Sequence, residues 1–344
     1  MRIAQVAPLY ERVPPPLYGG TERVVSYLTE ELVRLGHEVT LFASGDSETR
    51  ARLVAGSPRA LWRDADVRET LPHHVHLMEL VAREASHFDV IHFHTDYVHF
   101  PLVRRHGWRS VTTLHGMVHP PDLGPLFAEY RDVPLVSISN DQRSPIPQAN
   151  WRATVYHGLP LDAFTFRADP GTYLVYLGRM SPEKRVDRAI EIARRAGMPL
   201  KIAAKIYPEE RGYFDEVLAP LLESSRPLVE FVGEIGNRER DDLLGGAAAL
   251  VFPIEWPEPF GLVMIEAMAC GTPVVAWRRG SVPEVVDVGV TGYVVETIEE
   301  AVRAVGRIGG LSRAVCRRVF EERFGAARMA RDYVEVYRGL ITGC

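Results

Sequence analysis

The chain has 344 residues, of which 46% are hydrophobic and 25% charged, long enough for two domains of ordinary size with a core in each. Its formal net charge of −5 excludes the basic footprint that a nucleic-acid partner requires. Three cysteines, Cys270, Cys316 and Cys344, are too few and too scattered for a disulfide framework or a zinc site, which fits a reducing cytoplasm.

The first apolar stretch runs from Ile3 to Ala7 and stops at Pro8. It reads as a strand at 3–7, too short for a secretion signal. No run is apolar enough to span a bilayer, so no integral membrane segment is expected. A long loop then reaches Tyr18-Gly19-Gly20-Thr21-Glu22. Paired glycines there let the backbone approach a phosphate, and the helix that follows supplies N–H donors. That helix, at 21–35, has Val24, Val25, Leu28, Leu32 and Leu35 on one stripe and is stopped by Gly36.

Strands are expected next at 39–43, 90–93, 111–114 and 135–138. Between the first two, Asp64-Ala65-Asp66 matches the spacing of a cation-binding acidic pair but reads as a solvated loop, since it sits in an arginine-rich polar segment. His92, His94 and His99 invite a metal, yet no third ligand has diagnostic spacing. His94, Asp96 and Tyr97, at a strand's carboxyl end, are read instead as lining an acceptor pocket. His115, in Thr112-Thr113-Leu114-His115-Gly116, ends the following strand.

Pro160, Asp169, Pro170 and Gly171 punctuate the chain, and the strand–helix alternation restarts at 173–177. It continues with strands at 200–203, 229–232, 250–252 and 274–276. The expected domains are therefore 1–165 and 166–325, both Rossmann-like, followed by a terminal helix in 326–344 with Met329, Tyr333, Val336, Tyr337 and Leu340 on one face. At the end of the second half's first strand stands Gly178-Arg179-Met180-Ser181-Pro182-Glu183-Lys184. Two cations there suit a diphosphate, because charge-assisted hydrogen bonds are roughly twice as strong as neutral ones. Lys205 closes the next strand and is a further donor-side candidate. The most informative stretch is Glu258-Pro-Phe-Gly-Leu-Val-Met-Ile-Glu266-Ala-Met-Ala-Cys-Gly271-Thr-Pro273. Pro259 and Gly261 mark a turn and good helix formers follow, so the amides of Phe260, Gly261 and Leu262 should open a helix N-terminus suited to oxygen anions. Glu266 lies among apolar neighbours, where an unpaired carboxylate is costly.

This pair of glutamates, with Pro-Phe-Gly-Leu between them and Glu-Ala-Met-Ala-x-Gly-x-Pro-Val-Val after, resembles the signature of the family 4 retaining glycosyltransferases. The short, arginine-rich chain is similar to actinobacterial members acting on natural products. The resemblance implies a GT-B fold, α/β with two Rossmann-like domains whose parallel sheets face across a crevice, and a terminal helix returning to the first domain. It implies a nucleoside diphosphate sugar as co-substrate, UDP being the expected nucleotide, and neither metal nor bound cofactor. By the same resemblance Gly19 and Gly20 lie against the donor phosphates, Arg179 and Lys184 hold the pyrophosphate, His115 meets the sugar near its C6 substituent, Glu258 holds the sugar and Glu266 the ribose. Where such enzymes usually have glycine after the lysine, this chain has Arg185, so a different local helix start is expected. The acceptor is expected to be soluble, a small molecule or oligosaccharide. The alternatives are another GT-B activity, such as an epimerase or a phosphorylase, and a non-catalytic sugar-nucleotide sensor.

Overall fold

The apolar, β-branched runs assemble into two parallel sheets, and the chain divides into two units: Met1–Pro160 with Gly325–Cys344, and Leu161–Phe324. The structure is a computed structural model and describes residues 1–17 and 19–343. In the first unit, β1 (Arg2–Val6), β2 (Glu38–Ser44), β3 (Arg52–Ser57), β4 (Val90–Phe93), β5 (Ser110–Thr113), β6 (Leu135–Ser137) and β7 (Trp151–Thr154) lie in the order β3-β2-β1-β4-β5-β6-β7. In the second, β8 (Tyr173–Arg179), β9 (Leu200–Lys205), β10 (Val229–Gly233), β11 (Ala247–Phe252), β12 (Val274–Trp277) and β13 (Gly292–Val295) lie in the order β10-β9-β8-β11-β12-β13. Every pairing is parallel. A parallel sheet is covered on both faces, which is why β4 and β12 are buried at every position.

The ten expected strands all form. Three more, β3, β7 and β13, were not expected. Each is the outermost strand on its side of a sheet, and each is only partly buried. An edge strand lacks the continuous apolar run that marks a central one.

Both sheets reverse direction once. In the first unit the chain winds outward from β1 and then returns to β4 at its other side; in the second the same happens at β8 and β11. Ligand crevices of open α/β sheets lie at the carboxyl ends of the strands flanking such a reversal. The loops after β1, β4, β8 and β11 are therefore where binding residues belong.

The helix Gly20–Arg34 buries Val24, Val25, Leu28 and Leu32, and Gly36 turns the chain away at φ +81°. Leu35 falls outside the helix and is exposed, so the stripe is one residue shorter than expected. The final helix, Ala326–Thr342, belongs to the first unit and buries Met329, Ala330, Tyr333, Val334 and Tyr337 there. Val336 and Leu340, expected on that stripe, are only half-buried.

Candidate functional site

In the second unit the reversal brings the loop after β8 beside the loop after β11. The Nζ of Lys184, at the end of the short turn Pro182–Lys184, donates to Glu258 Oε2 at 2.6 Å. Trp256 Nε1 donates to the same oxygen at 2.8 Å, and its ring lies 4.6 Å beneath the Lys184 ammonium. The side chains of Lys184 and Glu258 are 13% and 14% exposed, so their charges are felt through little water.

Two devices hold this pair. Glu255 donates its backbone N–H to Glu183 O at 2.8 Å, tying the two loops together. Its carboxylate receives Arg185 Nη1 at 3.0 Å, Arg279 Nη2 at 3.1 Å and the Arg188 guanidinium. On the other side the turn Arg279–Ser281 lies flat against Glu258. A Cβ on Gly280 would stand 2.3 Å from Glu258 O, so only glycine fits. Ser281 then donates N–H to Glu258 O at 2.9 Å and Oγ–H to Phe260 O at 2.9 Å.

Beyond this strap Gly261 turns the chain at φ +77° and caps the helix Leu262–Ala269. Its first-turn amides, Leu262 and Val263 among them, have no partner within the helix by its geometry and favour an anion.

The other half of the cluster departs from a simple picture of free cations. Arg179 Nε donates to Glu210 Oε1 at 2.9 Å, and its guanidinium lies 4.9 Å over the Tyr207 ring, with Lys205 Nζ 4.5 Å from that ring. Glu266 is buried, and Arg240 Nη1 donates to it at 3.1 Å. The costly unpaired carboxylate is thus avoided, by a partner that sequence reasoning missed. Arg240 sits in a run of charged residues that reads as a solvated helix face, so nothing in the sequence marks it. Glu210 and Trp256 had a weak signal, each following a candidate strand within a few residues of a candidate site residue.

Arg185 occupies the left-handed region at φ +54° and starts the helix Val186–Ala196. The helix start thus keeps a backbone conformation that glycine adopts freely. An L-residue held there costs on the order of 1–2 kcal/mol, and the guanidinium's bonds to Asp187 and Glu255 offset it.

The first unit holds a separate cluster. His94 Nδ1 is 2.8 Å from His115 Nε2, and His94 Nε2 is 2.9 Å from Gln5 Oε1. Gln5 Nε2 donates to Tyr337 Oη at 3.0 Å, and that hydroxyl lies 2.7 Å from His92 Nδ1. Burial pushes the His92 and His94 pKa values well below the ordinary imidazole value and brings that of His115 down to about 3.

His94 therefore does not line an acceptor pocket, as expected from sequence. It is buried with both ring nitrogens committed inside the protein, and stands behind His115. Asp96, at φ +52°, and Tyr97 are exposed just after it. His92 is likewise engaged at both nitrogens, by Tyr337 and Thr113, and His99 by Thr95 and Thr112. Among the described residues no group of three His, Cys, Asp or Glu side chains could hold a metal ion. Asp64 accepts from the Asp66 amide at 3.2 Å within an ordinary polar turn.

Gly19 precedes the helix Gly20–Arg34 at φ +150°, and a Cβ there would meet the Pro15 ring at 2.8 Å. Tyr18 lies outside the described residues. Glu22, in that helix's first turn, is buried, and burial raises its pKa to about 7.

Two parallel-sheet Rossmann-like units are the architecture of the GT-B fold, and comparison with known proteins makes the class a glycosyltransferase. The model for glycosyl transferases group 1 matches residues 162–308 and that for Glycosyltransferase Family 4 matches residues 18–156. The glycogen synthase of Mycobacterium tuberculosis is 29% identical over 96% of this chain and 89% of its own length. AviGT4, a glycosyltransferase involved in Avilamycin A biosynthesis, superposes with a TM-score of 0.76 at 27% identity, covering 100% of this chain and 99% of that one. Sucrose-phosphate synthase from Thermosynechococcus elongatus has the same fold, with a TM-score of 0.80 at 21% identity and 100% of both chains covered. The chain belongs to the family 4 glycosyltransferases.

Proposed function

We propose that the protein is a retaining, metal-independent transferase that moves a hexosyl group from a UDP-sugar to a hydroxyl of a soluble acceptor in the cytoplasm. The observation that carries this is the Lys184–Glu258 pair, set at the reversal of the second sheet and just ahead of the helix Leu262–Ala269. A cation and first-turn amides in one place suit a leaving diphosphate, and a carboxylate beside them suits a sugar whose anomeric carbon turns positive.

In this reading the bond between the anomeric carbon and the diphosphate oxygen breaks, its electron pair leaves with the UDP, and the acceptor's hydroxyl oxygen bonds to that carbon while its proton passes to the departing diphosphate. Arg179, Lys184 and the amides of Phe260, Gly261 and Leu262 stabilise that charge, with Gly19 and Gly20 against the phosphates and Lys205 nearby. Preorganised charge of this kind is usually the largest catalytic contribution. Glu258 binds sugar hydroxyls and supports the oxocarbenium-like carbon, Glu266 binds the ribose, and His115 meets the sugar near C6. Asp96 and Tyr97 are the acceptor residues. The likeness to AviGT4 supports a natural-product acceptor, an oligosaccharide in antibiotic biosynthesis being the class to test first. The buried free thiols Cys270 and Cys316 suit a reducing compartment.

The test is a thermal-shift screen of nucleotide sugars, since a ligand that binds only the folded state raises its Tm, followed by turnover of the hit in excess EDTA. Continued activity in chelator and a product with the donor's anomeric configuration, read from its NMR coupling, are expected. Loss of turnover restored by magnesium, or an inverted product, would refute the proposal.

The Glu255 hub gives a second expectation. Glu255→Ala unties the loops that bear Lys184 and Glu258 and should lower kcat by on the order of tenfold or more, since small misplacements are costly to catalysis. Its half-exposed ion pairs contribute little to stability, so the Tm should fall only slightly. Initial rates and a melting curve on the same sample separate the two effects.

A further inference from the structure

The side chain of His115 is unusually constrained. Gln142 Nε2 donates to Leu114 O at 2.9 Å and to Gly116 O at 2.7 Å, gripping the backbone on both sides of it. Its ring stacks on His157 with centroids 5.3 Å apart and planes 17° from parallel. Its Nε2 is occupied by His94, whereas its Nδ1 is buried and has no hydrogen-bond partner among the described residues. An orphaned buried nitrogen on a fixed ring calls for a ligand group to complete it.

What that group must be follows from counting hydrogens back along the chain of contacts. A neutral imidazole has one N–H and one lone pair, and burial keeps His92, His94 and His115 neutral at physiological pH. With Gln5 Oε1 turned towards His94, that oxygen can only accept, so His94 donates to it from Nε2. His94 Nδ1 then holds the lone pair, so His115 must donate from its own Nε2. That leaves the lone pair of His115 on Nδ1.

Gln5 is itself held, because its Nε2 donates to Tyr337 Oη, which in turn donates to His92 Nδ1; His92 Nε2 then donates to Thr113 Oγ1 at 2.7 Å, and Thr113 meets Tyr333 Oη at 2.9 Å. Turning the Gln5 amide over would reverse every one of these bonds and place a hydrogen on His115 Nδ1. The hydroxyls of the final helix therefore bear on what His115 presents.

We propose that Gln5 and His94 are positioning residues that fix His115 with its lone pair on Nδ1, so that the ligand group received there must be a hydrogen-bond donor. Resting on the reading of His115 as a contact of the donor sugar near C6, this selects a hexose with a free hydroxyl at that carbon and disfavours a uronate, whose ionised carboxylate can only accept.

Histidine-selective 15N labelling with long-range 1H–15N correlation reads the tautomer of each ring directly, without any ligand. His115 protonated on Nε2 is expected, and protonation on Nδ1 overturns the proposal. The kinetic arm compares UDP-glucose with UDP-glucuronate. Wild type should favour UDP-glucose in kcat/KM, and Gln5→Leu, which removes the acceptor that fixes His94, should mix the His115 tautomers and shrink that preference by about tenfold, the scale of one neutral hydrogen bond. Tyr337→Phe, which frees Gln5 to turn while keeping the ring volume, serves as the second variant and should act in the same direction if Gln5→Leu does not fold. An unchanged tautomer and preference in the folded variants would leave Gln5 merely structural and overturn its positioning role. Equal use of both donors by wild type overturns the hydroxyl requirement. Turnover of neither overturns the UDP-hexose reading, and the ring spectrum decides the tautomer in either case.

Discussion

Lys184→Ala is expected to lower kcat by about two to three orders of magnitude, the scale for removing one preorganised charge stabiliser from an active site. The ammonium is 13% exposed and lies 2.6 Å from Glu258, so no bulk water stands ready to take its place. Its removal acts twice. The leaving diphosphate loses a positive partner, and among the described residues Glu258 keeps the Trp256 N–H as its side-chain donor. UDP should bind more weakly as well, which separates this effect from a purely chemical one. Arg179→Ala should also be slow, but it takes the guanidinium from the buried carboxylate of Glu210, which still accepts from the Tyr207 N–H at 3.1 Å. Breaking a buried pair by removing one partner is strongly destabilising, so a fall in Tm should accompany the loss of rate. Steady-state rates on Lys184→Ala, where that complication is smaller, decide the matter; a near-native rate would remove the loop after β8 from the phosphate site.

The sequence shows which segments are strands and where the chemistry sits far better than it shows what holds that chemistry in place. Central strands such as β4 and β12 are legible because burial on both faces demands unbroken apolar runs. The turn at Gly261 and the helix Leu262–Ala269 are legible because glycine and good helix formers have local causes. Arg240 and Gln5 are not legible, and Glu210 is only faintly so from its place after a strand. Each acts on a residue distant in the chain, and a polar side chain poised for such a contact looks the same in sequence as one facing water. His94 is the instructive case. Its position just after β4 suggested a place in an acceptor pocket, but the neighbouring strand β1 and the loop after β5 supply Gln5 and His115 at hydrogen-bonding distance on either side of it, and a buried ring satisfied by its neighbours becomes support for one of them.

Glu258→Gln and Glu266→Gln remove one charge each at nearly constant volume, yet they are expected to fail differently. Glu258 stands beside Lys184 and ahead of the helix N-terminus, and its assigned work is on the sugar as positive charge develops. Its amide variant should depress kcat by about two orders of magnitude while UDP alone binds nearly as before, because Lys184 remains. Glu266 is buried with Arg240 Nη1 at 3.1 Å, and its assigned partner is the ribose. The amide oxygen can still accept from Arg240, so the fold should survive, though a buried guanidinium facing a neutral group should lower the Tm. UDP itself should bind more weakly by about 1–3 kcal/mol, the range for hydrogen bonds to a charged group. Titration calorimetry with UDP on both variants reads the difference without any acceptor or sugar. If Glu258→Gln weakens UDP more than Glu266→Gln does, the two carboxylates serve opposite ends of the donor from those assigned to them.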